Sequence, residues 1–232
     1  MDPELPSTVF PDLSRQDSSD RVSCTAHSLV NAVRLAGGNV PAVEVDRLKT
    51  VIIDNKKPLD GQAVQDFAQL HSLKSENLFH YLQTEIPRPY TAEGVYSGIV
   101  SKLTTGPMIM SIASELSLRD RSVIPRIEFD GKKADSHAVV AHLNNGTISI
   151  IDPYDPSAPR IIETDDPNQR MKFVALLTSP RARRTLVETD TAFNGNDILE
   201  EAYKKVADPN ASPRYLAEAL SFIGPVIIHN KQ

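Results

Sequence analysis

Apolar residues in the first half of the chain recur at the spacing of amphipathic α-helices. The first segment with this spacing is 23–35. Its apolar residues fall at positions i, i+3, i+4 and i+7, and they are Ala26, Leu29, Val30 and Val33. The same spacing predicts helices over three later segments, which are 42–53, 61–72 and 91–103. We therefore predict that the chain before Gly106 is mainly helical.

After Gly106 the pattern changes to short runs of apolar and β-branched residues that are separated by turn residues. Five runs predict strands, and they are PMIMSIA (107–113), RIEFDG (126–131), HAVVAHL (137–143), TISIID (147–152) and MKFVALL (171–177). The Asn145-Gly146 pair between the third and fourth runs is the strongest signal for a two-residue hairpin in the chain. The predicted fold class is therefore α+β, with N-terminal helices packed on a C-terminal antiparallel sheet.

Two stretches of the chain lack a clear period. Residues 1–19 are rich in Pro, Ser and Asp, which predicts a flexible N-terminal arm, and the polar residues 179–196 predict a linker. Two short helices are predicted after this linker, one carrying Leu199 and Val206 and one with Ser212 as its N-cap. The predicted organisation has three parts: an arm (1–19), one α+β domain (20–178), and a linker with a short helical C-terminal extension (179–232).

Composition and charge narrow the choice of function. With 232 residues, of which 40% are apolar and 24% charged, the chain has the composition of a globular domain rather than of a disordered or fibrous protein. The formal net charge of −5, with scattered Lys and Arg, argues against a nucleic-acid or membrane-surface partner. No apolar run reaches the ~18 residues that span a bilayer, and the N-terminal residues lack the features of a signal peptide. We expect no membrane span and no classical secretion.

The chain contains a single cysteine, Cys24, at the start of the first predicted helix. One cysteine cannot form an intramolecular disulfide, so Cys24 is either a small buried apolar side chain or a reactive thiol. The partial positive charge of a helix N-terminus stabilises a thiolate, and a neighbouring imidazolium adds to that effect. Cys24 is therefore a candidate nucleophile if a histidine lies beside it.

The hairpin at Asn145-Gly146 predicts a contact between His137 and Asp152. If these two residues form the loop, Leu143 faces Ile148, and His137 and Asp152 become diagonal neighbours on the same face of the sheet. A carboxylate on one ring nitrogen of a histidine fixes its tautomer and leaves the other nitrogen for a nucleophile. The alternative is a structural hydrogen bond that closes the hairpin, and the register alone does not distinguish the two.

A thiol that attacks a carbonyl group also requires hydrogen-bond donors for the oxyanion that forms. The usual donors are the backbone N–H of the nucleophile and a side chain that precedes it. Gln16 is the only amide side chain upstream of Cys24, and Ser18 and Ser19 are weaker candidates. Each of the three is equally well explained as a solvated loop residue, so Gln16 is the first candidate for the oxyanion residue, with less support than Cys24, His137 and Asp152 have for their roles.

The order Cys24, His137, Asp152 resembles that of the papain-like cysteine peptidases. The resemblance covers about residues 16–178, and it includes the segments VSCTAHSLVNAV and SHAVVAHLNNGTISIIDP. The spacings of 113 and 15 residues are similar to those in the YopT and AvrPphB type of bacterial effector proteases. Papain-like peptidases place the oxyanion residue closer to the cysteine, where this chain has Ser18 and Ser19. The tail beyond residue 180 has no counterpart in the family.

The resemblance implies a papain-like catalytic domain over 20–178, with Cys24 as nucleophile, His137 as general base and acid, and Asp152 as the orienting carboxylate. It implies a cysteine protease that acts on a protein or peptide substrate, with no cofactor. An effector of this type is made in a bacterial cytoplasm and delivered to a host cell, where its partner would be a host protein. The same order of residues also occurs in glutamine deamidases and bacteriocin-leader peptidases.

Two further hypotheses remain open at this point. A binding module could keep the papain-like fold and do no chemistry, in which case the thiol of Cys24 would be unreactive. A metal site could form from Cys24, Asp135 and His137, with His142 as another ligand. His137 and His142 are five residues apart and point to opposite faces of a regular strand, which argues against that site. We therefore expect no bound metal.

Overall fold

The structure is a computed structural model, and it gives the bounds of four helices. They are α1 (Cys24–Leu35), α2 (Val43–Asn55), α3 (Gly61–Leu70) and α4 (Ala92–Leu103). The described residues are 12–17, 20, 23–55, 59, 61–78, 81, 85, 92–113, 127–129, 132–134, 136–167, 169–170, 173 and 225–230. All four helices lie where the apolar spacing predicts them. Helix α3 ends earlier than predicted because the chain turns at Ser72, whose φ of 63° lies in the left-handed region.

The strands with described bounds form one large sheet and one small one. They are β1 (Leu73–Asn77), β2 (Met108–Ala113), β3 (Ile127–Phe129), β4 (Lys132–Ala134), β5 (Ser136–Asn144), β6 (Thr147–Ile151), β7 (Arg160–Glu163) and β8 (Val226–Asn230). The large sheet has the order β1-β8-β2-β5-β6-β7, and every neighbouring pair is antiparallel. Strands β3 and β4 pair separately. The α+β class is therefore confirmed.

The β5–β6 hairpin has the predicted register. Leu143 pairs with Ile148, and the two loop residues, Asn145 and Gly146, have φ values of 49° and 81°. Positive φ at both loop positions is what a tight two-residue turn requires. The β5–β6 ladder ends at the pair Val140 and Ile151, so the chain leaves the sheet immediately before Asp152.

The sheet lies between two helical layers. One apolar cluster joins α1, α2 and α3 to one face of the sheet through residues such as Ile109 and Val140. A second cluster joins α4 to the opposite face through residues such as Met110 and Val139. Because alternate residues of a strand point to opposite faces, the central strands carry continuous buried apolar runs, such as 108–110 in β2 and 138–141 in β5. None of the helices in the described part of the chain is long and apolar enough to span a membrane.

The prediction of a C-terminal helical extension over 179–232 is wrong for residues 226–230. These residues form β8, which pairs with β1 on one side and with β2 on the other. Its first three residues are buried, so it lacks the alternation of a half-exposed strand, and its partners lie far away in sequence. Gly106 permits this packing, because an added Cβ there would lie 2.0 Å from the carbonyl oxygen of Ile228.

The prediction of a flexible arm over 1–19 is wrong for residues 12–17, which pack against α1. The Asn31 side chain accepts a hydrogen bond from the Ser14 N–H at 2.6 Å and donates one to the Ser14 carbonyl at 2.9 Å. Arg34 donates to the Asp12 carbonyl at 2.8 Å. Side chains of α1 therefore satisfy the backbone of this segment in the way that a neighbouring strand would.

Several other predictions concern residues outside the described ranges. The linker over 179–196 and the two C-terminal helices lie there entirely. The strand predicted over 171–177 also lies there, apart from Phe173, which has helical backbone and a fully buried side chain. In the N-terminal arm, residues 1–11, 18 and 19 are outside as well.

Candidate active site

Cys24 is the first residue of α1, and its side chain is largely buried. The residue is 8% exposed, so only a small part of its surface contacts solvent. The first backbone N–H groups of a helix have no partner inside the helix, and they carry the positive end of its dipole. The thiol therefore lies at a position that favours negative charge.

His137 and Asp152 lie in direct contact. The Nε2–H of His137 donates to Oδ1 of Asp152 at 2.9 Å, and both side chains are almost fully buried. The same carboxylate oxygen accepts the backbone N–H of Tyr154, also at 2.9 Å. The contact predicted from the hairpin register is confirmed, while a catalytic role for the pair stays a prediction.

The charge state of His137 is set by its two neighbours. Burial would lower the pKa of the imidazole, but hydrogen bonds to Asp152 and Cys24, together with their negative charges, outweigh burial and raise the pKa of His137 to about 10. Since Nε2 is directed at Asp152, Nδ1 is the ring nitrogen left for the thiol of Cys24. The structure thus brings together the three residues that the sequence selected.

Tyr154 holds this pair in place, and the sequence analysis did not identify it. Its ring stacks on the imidazole of His137 with centroids 5.2 Å apart and planes inclined by 14°. Its hydroxyl donates to the Asp20 carbonyl at 3.2 Å, while its backbone N–H binds Asp152. The available signal was an aromatic residue two positions after the candidate carboxylate, in a loop that the hairpin places at the site.

Gln16 lies between the loop that carries Asp152 and the segment that leads to Cys24. Its backbone N–H donates to the Pro153 carbonyl at 2.7 Å, and its Nε2 donates to the Asp20 carbonyl at 2.8 Å. The residue is 1% exposed, and within the described part of the chain its Oε1 has no hydrogen-bond partner. Gln16 is therefore part of the site's framework rather than a solvated loop residue. Ser18 and Ser19 lie outside the described residues.

Asp20 connects the approach to Cys24 with α2, and the sequence analysis also missed it. Its carboxylate accepts hydrogen bonds from the backbone N–H and the hydroxyl of Ser23 and forms an ion pair with Lys49 at 2.9 Å. Its carbonyl accepts the bonds from Gln16 and Tyr154 described above. Nothing in the local pattern distinguishes Asp20 from other loop aspartates, because two of its partners, Lys49 and Tyr154, lie far away in sequence.

A second buried histidine lies on α1, one turn after Cys24. His27 is 3% exposed, and its Nδ1 forms a hydrogen bond with the Ser14 hydroxyl at 2.8 Å. Burial, and then the positive charge of Lys49, lower its pKa to about 4, although Asp20 and Asp46 act in the opposite direction. His27 is therefore neutral at physiological pH.

Of the residues named in the metal hypothesis, Cys24 and His137 are in contact, and His142 lies elsewhere on β5. Among the described residues no group of three or more His, Cys, Asp or Glu side chains is placed to hold an ion. His142 pairs across the hairpin with Ser149, away from His137, and burial lowers its pKa. Asp135 lies outside the described residues.

No protein-family model, curated protein or solved structure matches this chain. The resemblance to papain-like peptidases therefore stays a prediction, based on the order and spacing of three residues. A function has to be inferred from the geometry around Cys24, His137 and Asp152.

Proposed function

We propose that this chain is a papain-like thiol hydrolase that cleaves amide bonds in protein or peptide substrates. Cys24 is the nucleophile, His137 the general base and acid, and Asp152 the residue that orients His137. The observation that carries this proposal is the buried hydrogen bond from His137 Nε2 to Asp152, with Cys24 on the other side of the ring. A structural pair that only closes a hairpin has no need of a thiol at that place.

The arrangement of elements supports the same proposal. The nucleophile begins the central helix, and that helix packs on the strand that carries the histidine. The orienting carboxylate follows the neighbouring strand, so the two halves of the site come from a helix and a hairpin that meet at one end of the sheet. We assign this arrangement to the papain-like class.

The first half of the proposed reaction forms a thioester. The thiolate of Cys24 attacks the carbonyl carbon, and the carbonyl oxygen takes up the negative charge. When the tetrahedral intermediate collapses, the carbon–nitrogen bond breaks and His137 Nδ1 gives its proton to the leaving amine. Asp152 holds the imidazole in the required orientation throughout, because its bond to Nε2 fixes the ring.

The second half releases the acid and restores the enzyme. Neutral His137 takes a proton from water, the resulting hydroxide attacks the thioester, and the thiolate leaves. Both tetrahedral intermediates carry an oxyanion that requires donors. We assign this role to the backbone N–H of Cys24 and to Gln16, whose Nε2 has a second hydrogen besides the one donated to Asp20.

The test measures how fast iodoacetamide alkylates Cys24, because this needs no known substrate. The imidazolium of His137 stabilises the thiolate, so His137→Ala should lower the rate at pH 6 by at least about tenfold. His142→Ala is the matched control, since it removes a histidine from the same strand outside the site, and its rate should stay within about twofold of wild type. Equal rates in wild type and His137→Ala would contradict the proposal.

A second measurement establishes the reaction itself. The wild-type protein and Cys24→Ala are incubated with a peptide library, and the products are analysed by mass spectrometry. Wild type should generate new N-termini, whereas Cys24→Ala should not. Release of ammonia without new N-termini would identify a side-chain amidase, and cleavage that persists in Cys24→Ala would eliminate the thiol mechanism.

A further inference from the structure

A buried hydroxyl joins the helix that carries the nucleophile to the strand that carries the histidine. Ser28 lies one helical turn after Cys24, on the same side of α1. It is fully buried, and its Oγ donates to the carbonyl oxygen of Ala138 at 2.8 Å. Ala138 directly follows His137. The hydrogen bond therefore links the two chemical groups through one turn of helix and one residue of strand.

The hydrogen bond from Ser28 reaches β5 beyond the point where its pairing with β6 ends. The β5–β6 ladder ends at Val140 and Ile151, so within the described residues the strand partner of His137 and Ala138 is β2, opposite Ile112 and Ser111. That ladder fixes His137 within the sheet, but it does not fix the sheet against α1. Apolar packing between the two layers is not directional, whereas a hydrogen bond requires a definite distance and angle.

We propose that Ser28 is a positioning residue that sets the distance between the sulfur of Cys24 and Nδ1 of His137. The inference rests on the proposed function, because it concerns the same pair of groups. Ser28 touches neither the substrate nor the reacting atoms. It acts through His137, and its loss allows α1 to shift along β5 while the fold persists.

The experiment compares iodoacetamide alkylation at pH 6 and pH 10 in wild type, Ser28→Ala, His137→Ala and the double variant. At pH 6 the reaction depends on the imidazolium, and at pH 10 a thiol ionises without it. A misplacement of about 1 Å can cost up to about 100-fold in rate, so we expect Ser28→Ala to lose about tenfold at pH 6. At pH 10 its rate should stay within about twofold of wild type.

Two variants control for a general loss of stability. Ser149→Ala removes the hydroxyl of another buried serine in the sheet. Val64→Ala leaves a cavity in the core beside α3. Neither residue contacts the site, so both should keep the wild-type ratio of the rates at pH 6 and pH 10. All rates are measured well below the unfolding temperature of the least stable variant.

The double variant separates positioning from folding. If Ser28 acts through His137, adding Ser28→Ala to His137→Ala should cause no further loss, because the interaction is already absent. A further loss in that background, a loss at both pH values, or a wild-type rate in Ser28→Ala would each overturn the positioning role. If His137→Ala itself reacts like wild type, the proposed function falls and the positioning role falls with it.

Discussion

Two buried histidines on adjoining elements respond to burial in opposite ways. His27 faces the hydroxyl of Ser14, and its pKa is lowered to about 4. His137 faces the carboxylate of Asp152 and the thiol of Cys24, and its pKa is raised to about 10. Both side chains are removed from water to a similar extent. The charge of the hydrogen-bond partner therefore decides whether a buried imidazole in this protein is neutral or cationic.

The largest expected effect comes from giving His137 a neutral partner like that of His27. Asp152→Asn keeps the shape of the side chain but removes its charge, so the pKa of His137 should fall and the ring can adopt the wrong tautomer. We expect hydrolysis to fall by about 10³- to 10⁴-fold. The pKa of His137 is followed by NMR on the same variant.

Asp155→Asn is the control for this change, because Asp155 lies in the same loop and its carboxylate binds Ser157 instead of the histidine. Its activity should stay within about twofold of wild type, as expected for a surface substitution outside the site. Near-normal activity in Asp152→Asn would show that the carboxylate does not set the charge of His137.

A smaller effect is expected on the free energy of unfolding at acid pH, to which His27 contributes. Its pKa is lowered on folding, so the unfolded chain takes up a proton first as the pH falls below about 6.5. Stability is therefore lost between about pH 6.5 and the folded pKa of about 4. The loss on going from pH 7 to pH 4 should reach about 3 kcal/mol.

Urea unfolding of wild type and His27→Gln at both pH values measures this contribution. The variant cannot titrate at position 27, so its loss of stability on acidification should be smaller than that of wild type by the amount given above. Lys49, Asp20 and Asp46 surround His27 and are present in both proteins, so their own titration is largely common to the comparison. An identical acid loss in both would contradict the neutral state of His27.

The smallest expected effect comes from the aromatic ring on His137. A ring face stabilises a neighbouring cation by about 0.5–2 kcal/mol, so Tyr154→Leu should slow alkylation of Cys24 at pH 6 by about two- to 30-fold. Tyr154→Phe keeps the ring and loses only the bond to Asp20, and it should remain closer to wild type. If Tyr154→Leu and Tyr154→Phe slow alkylation equally, the effect comes from the loss of the hydroxyl, and the stacked ring contributes nothing measurable.

The parts of the fold that could be predicted are those with a local cause. The spacing of apolar residues identifies α1 because its buried stripe repeats within one segment. The Asn145-Gly146 turn fixes the register of β5 and β6, and the contact between His137 and Asp152 follows from that register. In each case the relevant partners are close in sequence.

The parts that could not be predicted depend on distant partners. Residues 12–17 show no periodic pattern. They are held in place by hydrogen bonds to side chains such as Asn31, which the sequence of the segment does not predict. Strand β1 is polar and lies at the sheet edge, so its sequence resembles a loop. Tyr154 and Asp20 acquire their roles only when the loops that carry them meet in space.

The position of β8 has a consequence for how the protein is made. This strand lies between β1 and β2, yet a ribosome synthesises residues 226–230 after every other strand of the sheet. Until β8 is synthesised, the backbone groups of β2 that pair with it have no partner in the sheet as described, although the proposed triad residues are already part of the chain. Pairings between strands this far apart in sequence form slowly, and such an edge is prone to associate with other chains. We therefore expect the chain to be more prone to associate with other chains before β8 is in place than afterwards.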